Sequence, residues 1–280
     1  MSDVHSTVGA LFLGVVFACI LSGVTILQAF LYFHYFRRDM LIHKISVAVL
    51  MILDTTHGAC MLHAVYSYIV TGWGDSAGLH EIIWSVQIQV SLNVAIILLV
   101  QSLYTFRVWL LSGYYKGLLG YLSIVAVAGG FGIGIALAYK IFTVGTFEEL
   151  KQVSWVINAA LASSTVIDFT IAIAMCYYLW KSKTATSRLN SRLSNLIQFT
   201  LGSGVLTSAC STSALLSHVF MPDNFIFLGV QFLLTKLYLV SFLTMLNSRP
   251  RGGSGATTDE SPSSRYSLTK DGAPVYATAW

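Results

Sequence analysis

Seven stretches of this chain are each apolar over more than 20 residues, and this repetition limits the possible folds more than any other feature. A helix that crosses the hydrocarbon core of a bilayer needs roughly 20 mainly apolar residues. Charged residues make up only 10% of the chain, too few to cover the surface of a water-soluble domain. The sequence therefore predicts an all-α, polytopic membrane protein, a bundle of seven transmembrane helices. The predicted spans are residues 8–36, 45–71, 82–106, 117–139, 154–180, 193–220 and 225–247.

The basic residues of the links predict the orientation of this bundle. Of the 16 Lys and Arg residues, 13 fall on one side of a seven-span topology, two fall on the other, and Lys236 lies inside the last span. Because cytoplasmic loops are enriched in Lys and Arg, we expect the C-terminus in the cytoplasm and the N-terminus outside. The 13 residues are Arg37, Arg38, Lys44, Arg107, Lys116, Lys181, Lys183, Arg188, Arg192, Arg249, Arg251, Arg265 and Lys270.

The chain divides into three segments along its length. Residues 1–7 form a short extracellular or lumenal N-terminus, residues 8–247 form the transmembrane domain, and residues 248–280 form a cytoplasmic tail. The tail is rich in Gly, Ser and Thr, so it cannot bury enough apolar area to fold, and we expect it to be disordered. We predict multi-pass insertion in the plasma membrane or an endomembrane. The bilayer is then the main partner, the basic inner loops are the surface for any cytoplasmic protein, and nothing indicates nucleic-acid binding.

Three formal charges lie well inside predicted spans, and they lie at similar depth. Asp54, Lys236 and Asp168 are about 15, 16 and 18 Å from the cytoplasmic ends of their helices. A charge in the bilayer costs a few kcal/mol, so such groups usually face the bundle interior and find partners. We therefore predict that the three meet. His57 lies three residues after Asp54 on the same helix face and completes an intramembrane polar cluster.

This cluster has a structural and a functional interpretation. A Lys between two carboxylates fixes how three helices pack, although such a triad adds little net stability. Alternatively, the cluster binds a polar ligand, relays protons or carries out acid–base chemistry. Asp54 and His57 are residue types that can serve as two metal ligands or as an acid–base couple. However, the sequence has no further His or Glu at ligand spacing that would complete a metal site. We predict neither a metal nor a cofactor; the glycine-rich residues 129–134 indicate helix packing, since no strand precedes them.

Other polar residues inside the spans are candidates to line a cavity. Amide side chains within a membrane often cross-link neighbouring helices, which is the structural alternative for each of them. An indole and amides clustered in the third span favour a cavity that faces outward. The residues predicted to line it are Gln28, Trp84, Gln87, Asn93 and Gln101.

Two well-known classes of seven-helix protein do not fit. Lys236 lies in the last span, where a retinal protein forms its Schiff base, but no Asp precedes it by one turn and the third span has no carboxylate as counter-ion. The topology also suits a G-protein-coupled receptor. However, no acidic residue precedes Arg107, and the last span ends at residues 244–247 without an Asn-Pro-x-x-Tyr motif.

A series of short motifs between Gly14 and Arg249 resembles another group of proteins. The chain is similar to a large family of uncharacterised seven-helix membrane proteins of mushroom-forming fungi, described as a domain of unknown function. The resemblance implies the fold and a fungal origin, and it implies no activity. This sequence has Val240-Ser241 where the family more often has Asn-Ser. The motifs are Gly23-Val24-Thr25 with Gln28, Tyr32-Phe33, Tyr35-Phe36, Asp39, Leu53-Asp54-Thr55-Thr56-His57, Tyr66-Ser67-Tyr68, Trp84-Ser85, Gln101, Arg107-Val108-Trp109, Asp168, Tyr178-Leu179, Leu206-Thr207-Ser208, Lys236-Leu237-Tyr238 and Leu246-Asn247-Ser248-Arg249.

Three functional hypotheses follow from these observations. The leading one is a non-enzymatic membrane protein with receptor-like topology and an interior polar cluster that is either structural or a site for a small-molecule ligand. The second is a membrane-embedded enzyme such as an isoprenoid cyclase, with Asp54 or Asp168 as the acid because burial raises a carboxyl pKa. The third is a small-solute transporter, which the lack of an internal repeat disfavours. No catalytic residue is assigned.

Overall fold

The computed structural model of the chain describes residues 2–72, 81–115, 117–185, 190–221 and 226–249. Side chains of residues 2–8, 113–115, 147–148, 151, 182–185 and 190–203 are outside that description, as are residues 250–280, most of the predicted disordered tail. The described residues are helical, apart from links and one isolated bridge between Glu81 and Thr146. The helices are α1 (Ser2–Tyr35), α2 (Leu41–Tyr66, continued by a π-helical turn, Ser67–Thr71), α3 (Trp84–Tyr115), α4 (Leu118–Phe142), α5 (Phe147–Gln152), α6 (Ser154–Ala185), α7 (Asn190–Phe220) and α8 (Ile226–Asn247).

Most of these helices have the length and composition of membrane spans. Six of those described, α1, α2, α3, α4, α6 and α8, are long and apolar enough to cross a bilayer, and α7 carries a shorter apolar stretch, Gly204–Phe220. Large apolar side chains cover the outside of the bundle; Leu118, for example, is 81% exposed. Contiguous apolar surface of this extent requires a lipid environment. The chain is therefore a multi-pass membrane protein, and the helices are roughly consistent with seven spans.

The helices form a ring in chain order, with both apolar and polar side chains in its interior. α1 packs on α2 and α8, α2 on α3, α3 on α4, α4 on α6, α6 on α7, and α7 on α8. α3 also contacts α6 and α8, so it lies inside the ring. Of the 18 most apolar consecutive residues of α8, 67% are buried inside the bundle. In the other five spans the corresponding fraction is 22–44%. α3 and α8 therefore carry the interior side chains.

Two glycines bring α1 and α8 into backbone contact. A Cβ built on Gly14 would lie 2.7 Å from the Cα and carbonyl oxygen of Gly229, and a Cβ on Gly229 would lie 2.7 Å from the carbonyl oxygen of Ala10. No real Cβ tolerates such contacts, and a backbone atom cannot rotate away as a side chain can. Small residues permit this close approach between membrane helices, where association depends on packing.

The glycine-rich stretch of α4 separates into two faces. Cβ atoms on Gly130 and Gly134 would meet Ile167 at 2.6 Å and Leu98 at 2.9 Å, whereas Gly129 and Gly132 have nothing within 4 Å. Gly130 and Gly134 are four residues apart and share a face, so they seat α4 against α3 and α6. The stretch is thus a packing surface on one side only.

At one end of the bundle, which we call the basic end, Arg249 after α8 joins the α1–α2 link. Its guanidinium donates two hydrogen bonds to the Asp39 carboxylate and lies over the ring of Phe36, 5.0 Å from its centroid. Tyr32 donates to the same carboxylate at 2.7 Å. Burial alone would raise the pKa of Asp39, but the hydrogen bonds from Arg249, Tyr32 and the Met40 backbone outweigh it and lower that pKa to about 2.

This contact predicts a stability loss in acid. A carboxyl group with a lowered pKa stabilises the fold above its unfolded pKa, near 3.8, and the contribution is lost as the pH falls toward 2. We expect Asp39→Asn to lower the thermal unfolding midpoint at pH 7 and to flatten its decline between pH 4 and 2. Tryptophan fluorescence of the detergent-solubilised protein measures this midpoint. Arg249→Gln should shift the acid-induced decline to higher pH; an unchanged profile in both variants would contradict the assignment.

At the opposite end, which we call the link end, the α2–α3 and α4–α5 links meet. The backbone N–H of Ile82 donates to the Gly145 carbonyl oxygen at 2.9 Å. The short helix α5 follows and was not predicted from the sequence, because six residues cannot show a helical period. Described helices also extend beyond several predicted spans, since a helix continues into the interfacial region where water satisfies its polar ends; α3, for example, reaches Tyr115.

Candidate functional site

Lys236 of α8 forms a buried ion pair with Asp54 of α2. Its Nζ lies 2.6 Å from the Asp54 Oδ1 and 3.4 Å from the Asp54 backbone oxygen. Both side chains are at most 4% exposed. The ammonium group lies beside Gly58, one turn further along α2, where a Cβ would be 3.7 Å away. Each charge thus compensates the other in a place where an unpaired charge would be strongly destabilising.

Asp168 of α6 belongs to a second group of polar side chains. Tyr238 of α8 donates a hydrogen bond to one carboxylate oxygen, and the Gln101 amide of α3 donates to the other at 2.9 Å. The Ser164 hydroxyl lies 3.3 Å from both of these donors. Asp168 is 6% exposed, so its carboxylate is held almost entirely by protein groups. The group ties α6 to α3 and α8.

The geometry of α8 explains why the predicted cluster is divided. Lys236 and Tyr238 are two residues apart, and an α-helix turns about 200° over that distance, so their side chains leave α8 on opposite sides. Lys236 reaches α2, and Tyr238 reaches α6. The three charges predicted to meet therefore form an Asp54–Lys236 pair and a separate Asp168 group; among the described residues, Lys236 contacts no carboxylate besides Asp54.

His57 lies next to the ion pair and contacts α3. Its Nε2 is 3.1 Å from the Gln89 amide nitrogen, and the ring is fully buried. His57 and Asp54 thus share a buried face of α2, as their spacing predicts. In the described part of the chain, no three His, Cys, Asp or Glu side chains come close enough to hold a metal ion. The contact joins α2 to α3.

A cavity of about 110 Å³ lies between α3, α4, α6, α7 and α8. Along α3 its lining runs from Val86, near the link end, to Gln101 in mid-membrane. These residues are 15 positions apart, so the cavity extends over about 22 Å of helix length. Most of the lining is apolar. The polar residues of the lining are Gln89, Asn93, Gln101, Ser163, Ser164, Ser211 and Gln231.

Three amide groups in this lining have unpaired oxygens. The side-chain oxygens of Gln89, Gln101 and Gln231 are buried and have no hydrogen-bond partner in the described part of the chain. For Gln101 the orientation follows from chemistry: an ionised Asp168 only accepts hydrogen bonds, so the amide nitrogen faces it and the oxygen faces away. A buried acceptor without a partner costs about 1–3 kcal/mol. Such oxygens provide acceptors for a bound donor.

Two of the five residues predicted to line a cavity do so. Asn93 and Gln101 lie on the lining, eight residues apart on the same side of α3. The Asn93 amide also donates a hydrogen bond to the Thr235 hydroxyl of α8. Both residues therefore combine a helix–helix contact with a position at the cavity.

The other three residues lie elsewhere. The Gln28 amide donates to the Thr244 hydroxyl at 2.7 Å and joins α1 to α8. Gln87 donates to the Val144 backbone oxygen at 3.1 Å, since it lies two residues, about 200°, from Gln89 around α3. Trp84 is 57% exposed on the outside of the bundle. These three side chains have packing or interfacial positions.

Sequence reasoning did not single out several residues that the structure places at the site, among them Tyr238, Gln231 and Ser211. Tyr238 holds Asp168, and Gln231 and Ser211 line the cavity. A signal existed for Tyr238, because tyrosines of membrane helices concentrate at the interfaces and this one lies in mid-span. Gln231 and Ser211 gave no comparable signal, since isolated amides and hydroxyls in spans usually cross-link helices.

A comparison with known protein families finds a match for the C-terminal part of the membrane domain, which carries some of the site residues. A protein family described as "Family of unknown function (DUF6534)" matches residues 164–251. This stretch includes Asp168, Gln231, Lys236 and Tyr238, but it excludes Asp54 and the whole of α3. The chain matches no curated protein. It also matches no solved structure. A domain of unknown function therefore covers one side of the polar interior, in agreement with part of the resemblance described above.

Proposed function

We propose that this protein is a seven-span, receptor-like membrane protein that binds a small, mainly apolar molecule carrying a hydrogen-bond donor. The binding site is the cavity between α3, α4, α6, α7 and α8. One observation carries the proposal: three residues on the lining of a mainly apolar cavity have buried amide oxygens that are unpartnered among the described residues. Ligand sites typically combine an apolar lining with a few placed polar groups.

The size of the cavity limits the ligand. An apolar cavity of about 150 Å³ holds a benzene molecule. The volume here is about 110 Å³. A ligand of roughly four or five non-hydrogen atoms therefore suits the cavity. A hydroxyl or amino group on such a molecule would supply the donor that Gln89, Gln101 and Gln231 lack, so we infer a small alcohol or amine.

The positions of the carboxylates favour binding over acid catalysis. Asp54 is paired with Lys236, and Asp168 accepts hydrogen bonds from Tyr238 and Gln101. Neither aspartate is part of the cavity lining. A general acid must reach its substrate within about 3 Å. The hypothesis of an isoprenoid cyclase would therefore require both a larger chamber and a rearranged carboxylate.

The interior beyond Gln101 favours binding over transport. Toward the basic end, a cluster of buried side chains fills the space between α2, α3 and α8, with Leu50, Leu239, Phe242 and Leu243 at its centre. All four are at most 2% exposed. A transporter alternates access to both sides, which would require this packed cluster to open.

The proposed topology places the link end outside and the basic end in the cytoplasm. It is supported by the 13 basic residues that the sequence assigns to one side. The cavity lining then begins near the outer end, as in a receptor. A cytoplasmic protein partner is expected at the basic inner loops; the side chains of residues 182–192, the most basic loop, are outside the described residues.

Gln231→Leu tests the binding site. We expect 1-butanol to raise the thermal unfolding midpoint of the purified protein, because its hydroxyl donates to a cavity amide. 1-Chlorobutane, of similar shape but without a donor, should have a smaller effect. One hydrogen bond contributes about 1 kcal/mol, so Gln231→Leu should weaken the apparent butanol affinity about fivefold. Differential scanning fluorimetry in one detergent provides the measurement.

Gln87→Leu is the matched control. It makes the same chemical change in a helix of the same bundle, but its amide contacts the Val144 backbone and not the cavity. 1-Butanol should therefore stabilise this variant as it stabilises the wild type. Equal butanol effects on wild type, Gln231→Leu and Gln87→Leu would show that the alcohol acts through the detergent or the surface, and would refute the cavity as a binding site.

A further inference from the structure

A second, smaller cavity lies near the basic end of the bundle. It has a volume of about 30 Å³ and is lined by residues of α2, α3 and α8 together with Arg249. Room for one water corresponds to about 10–15 Å³ on this scale, so the cavity accommodates a group the size of about two waters. Most of its lining is apolar; the polar members are His43, Arg107 and Arg249.

Arg107 in this cavity is a buried cation that pairs with no carboxylate of the described residues. Its side chain is 8% exposed, and its Nε has no hydrogen-bond partner in the described part of the chain. The ion pairs of the described residues involve Asp39 with His43 and Arg249, and Asp54 with Lys236; none includes Arg107. Removing a guanidinium from water without a partner is strongly unfavourable, so an anion at Arg107 would offset a large cost.

The charges around the cavity do not balance. Arg107 and Arg249 both line it, while Asp39, the carboxylate held by Arg249, is the one acidic side chain of the described residues in contact with either guanidinium. His43 lies 3.6 Å from the same carboxylate and brings no negative charge. Two permanent cations and one anion leave an excess positive charge next to the cavity. A planar guanidinium binds phosphate oxygens in a bidentate manner.

We propose that this cavity receives two oxygens of a phosphate group at Arg107, beside Arg249, while the rest of the phosphate group lies at the rim. The residues at the rim of the cavity favour an acidic phospholipid as the molecule that carries this phosphate group. Ile42 and Phe106 border the cavity and are 49% and 40% exposed on the apolar outside of the bundle, where an acyl chain would lie along them. At the predicted cytoplasmic interface, basic pockets between helices bind acidic headgroups. Free phosphate carries the same chemistry and is distinguished by experiment.

Arg107→Gln in the full-length protein tests the site. Wild type and variant are titrated with phosphatidylglycerol in phosphatidylcholine nanodiscs or mixed micelles, and retained lipid is counted by native mass spectrometry. A parallel titration uses inorganic phosphate and follows the unfolding midpoint. We expect phosphatidylglycerol to be retained on the wild type over phosphatidylcholine, and Arg107→Gln to lower that preference about tenfold, as expected for a lost charged hydrogen bond.

Arg38→Gln is the matched control, since it removes the same charge from an exposed position at the same end of the bundle. It should retain the lipid preference. Arg107→Lys keeps the positive charge but loses the bidentate geometry, so it should keep only part of the preference, which tests the site even if Arg107→Gln folds poorly. Stabilisation by inorganic phosphate that depends on Arg107 would support the phosphate site with a soluble anion as its ligand. Equal lipid retention by wild type, Arg107→Gln and Arg38→Gln, with no effect of phosphate, would refute the proposal.

Discussion

Lys236→Met is expected to destabilise the protein by about 3–5 kcal/mol, a large fraction of the stability of a typical fold. Methionine has nearly the volume of lysine but no charge, so the substitution leaves Asp54 without its cation. Asp54 is 3% exposed, which keeps bulk water away, and no other basic side chain of the described residues is paired with it. Thermal or chemical unfolding in a mild detergent measures the loss.

The double variant Asp54→Asn/Lys236→Met should recover much of this stability. Removing both charges abolishes the attraction but also abolishes the cost of burying them, and such replacements are often nearly neutral. The coupling energy from a double-mutant cycle is therefore expected to be large. If the Lys236→Met variant were as stable as the wild type, the assignment of a buried Asp54–Lys236 ion pair would be wrong.

A second cycle distinguishes two polar groups from one cluster. Asp168 is held by Tyr238 and Gln101, whereas the side-chain hydrogen bonds of Lys236 among the described residues go to Asp54. Sites without shared partners usually have additive effects, to within about 0.5 kcal/mol. Lys236→Met and Asp168→Asn should therefore be additive. A strong coupling between the two substitutions would instead indicate that Asp54, Asp168 and Lys236 form the single triad predicted from their depths.

Gly229→Ala is expected to separate α1 from α8. The added methyl group would lie 2.7 Å from the carbonyl oxygen of Ala10, so the two helices must move apart. Overpacking of this kind typically costs about 1–3 kcal/mol, and a rigid backbone neighbour places the cost at the upper end. Gly14→Ala meets the backbone of Gly229 at the same distance and should have the same effect. Unfolding midpoints of the two variants provide the measurement.

Gly132→Ala is the control for this comparison. It makes the same substitution in α4, where nothing lies within 4 Å of the new methyl group. Alanine is a better helix former than glycine by about 1 kcal/mol, so this variant should equal or exceed the wild type in stability. If Gly229→Ala were as stable as Gly132→Ala, the close α1–α8 contact would not exist in the protein.

The membrane-spanning helices could be predicted because the bilayer imposes a length and a composition that can be measured along the sequence. The depth of Asp54, Asp168 and Lys236 followed from the same rise per residue. What could not be predicted was the direction in which each side chain leaves its helix. Every face of a membrane helix is apolar, so the periodicity that orients a soluble helix is weak here, and Tyr238 rather than Lys236 reaches Asp168.

The same limit applies to the cavity. Asn93, Gln101 and Gln87 were all predicted to line it. Gln87 does not, because its side chain leaves α3 on a different side from that of Gln89 and contacts Val144. Hydropathy values cannot rank one amide above another. The excess charge at Arg107 was equally hidden, because an arginine at the end of a span ordinarily reaches water at the interface.

The burial of α8 has a consequence for the order in which the chain is assembled. Asp54 and Asp168 enter the membrane with helices that precede α8, whereas Lys236 and Tyr238, which hold them, arrive on α8. Until α8 is inserted, Asp54 has no cation beside it, and Asp168 has the Gln101 amide but not the Tyr238 hydroxyl. The insertion of α8 therefore completes both polar groups in one step, and a chain that ends before residue 226 lacks the ion pair altogether.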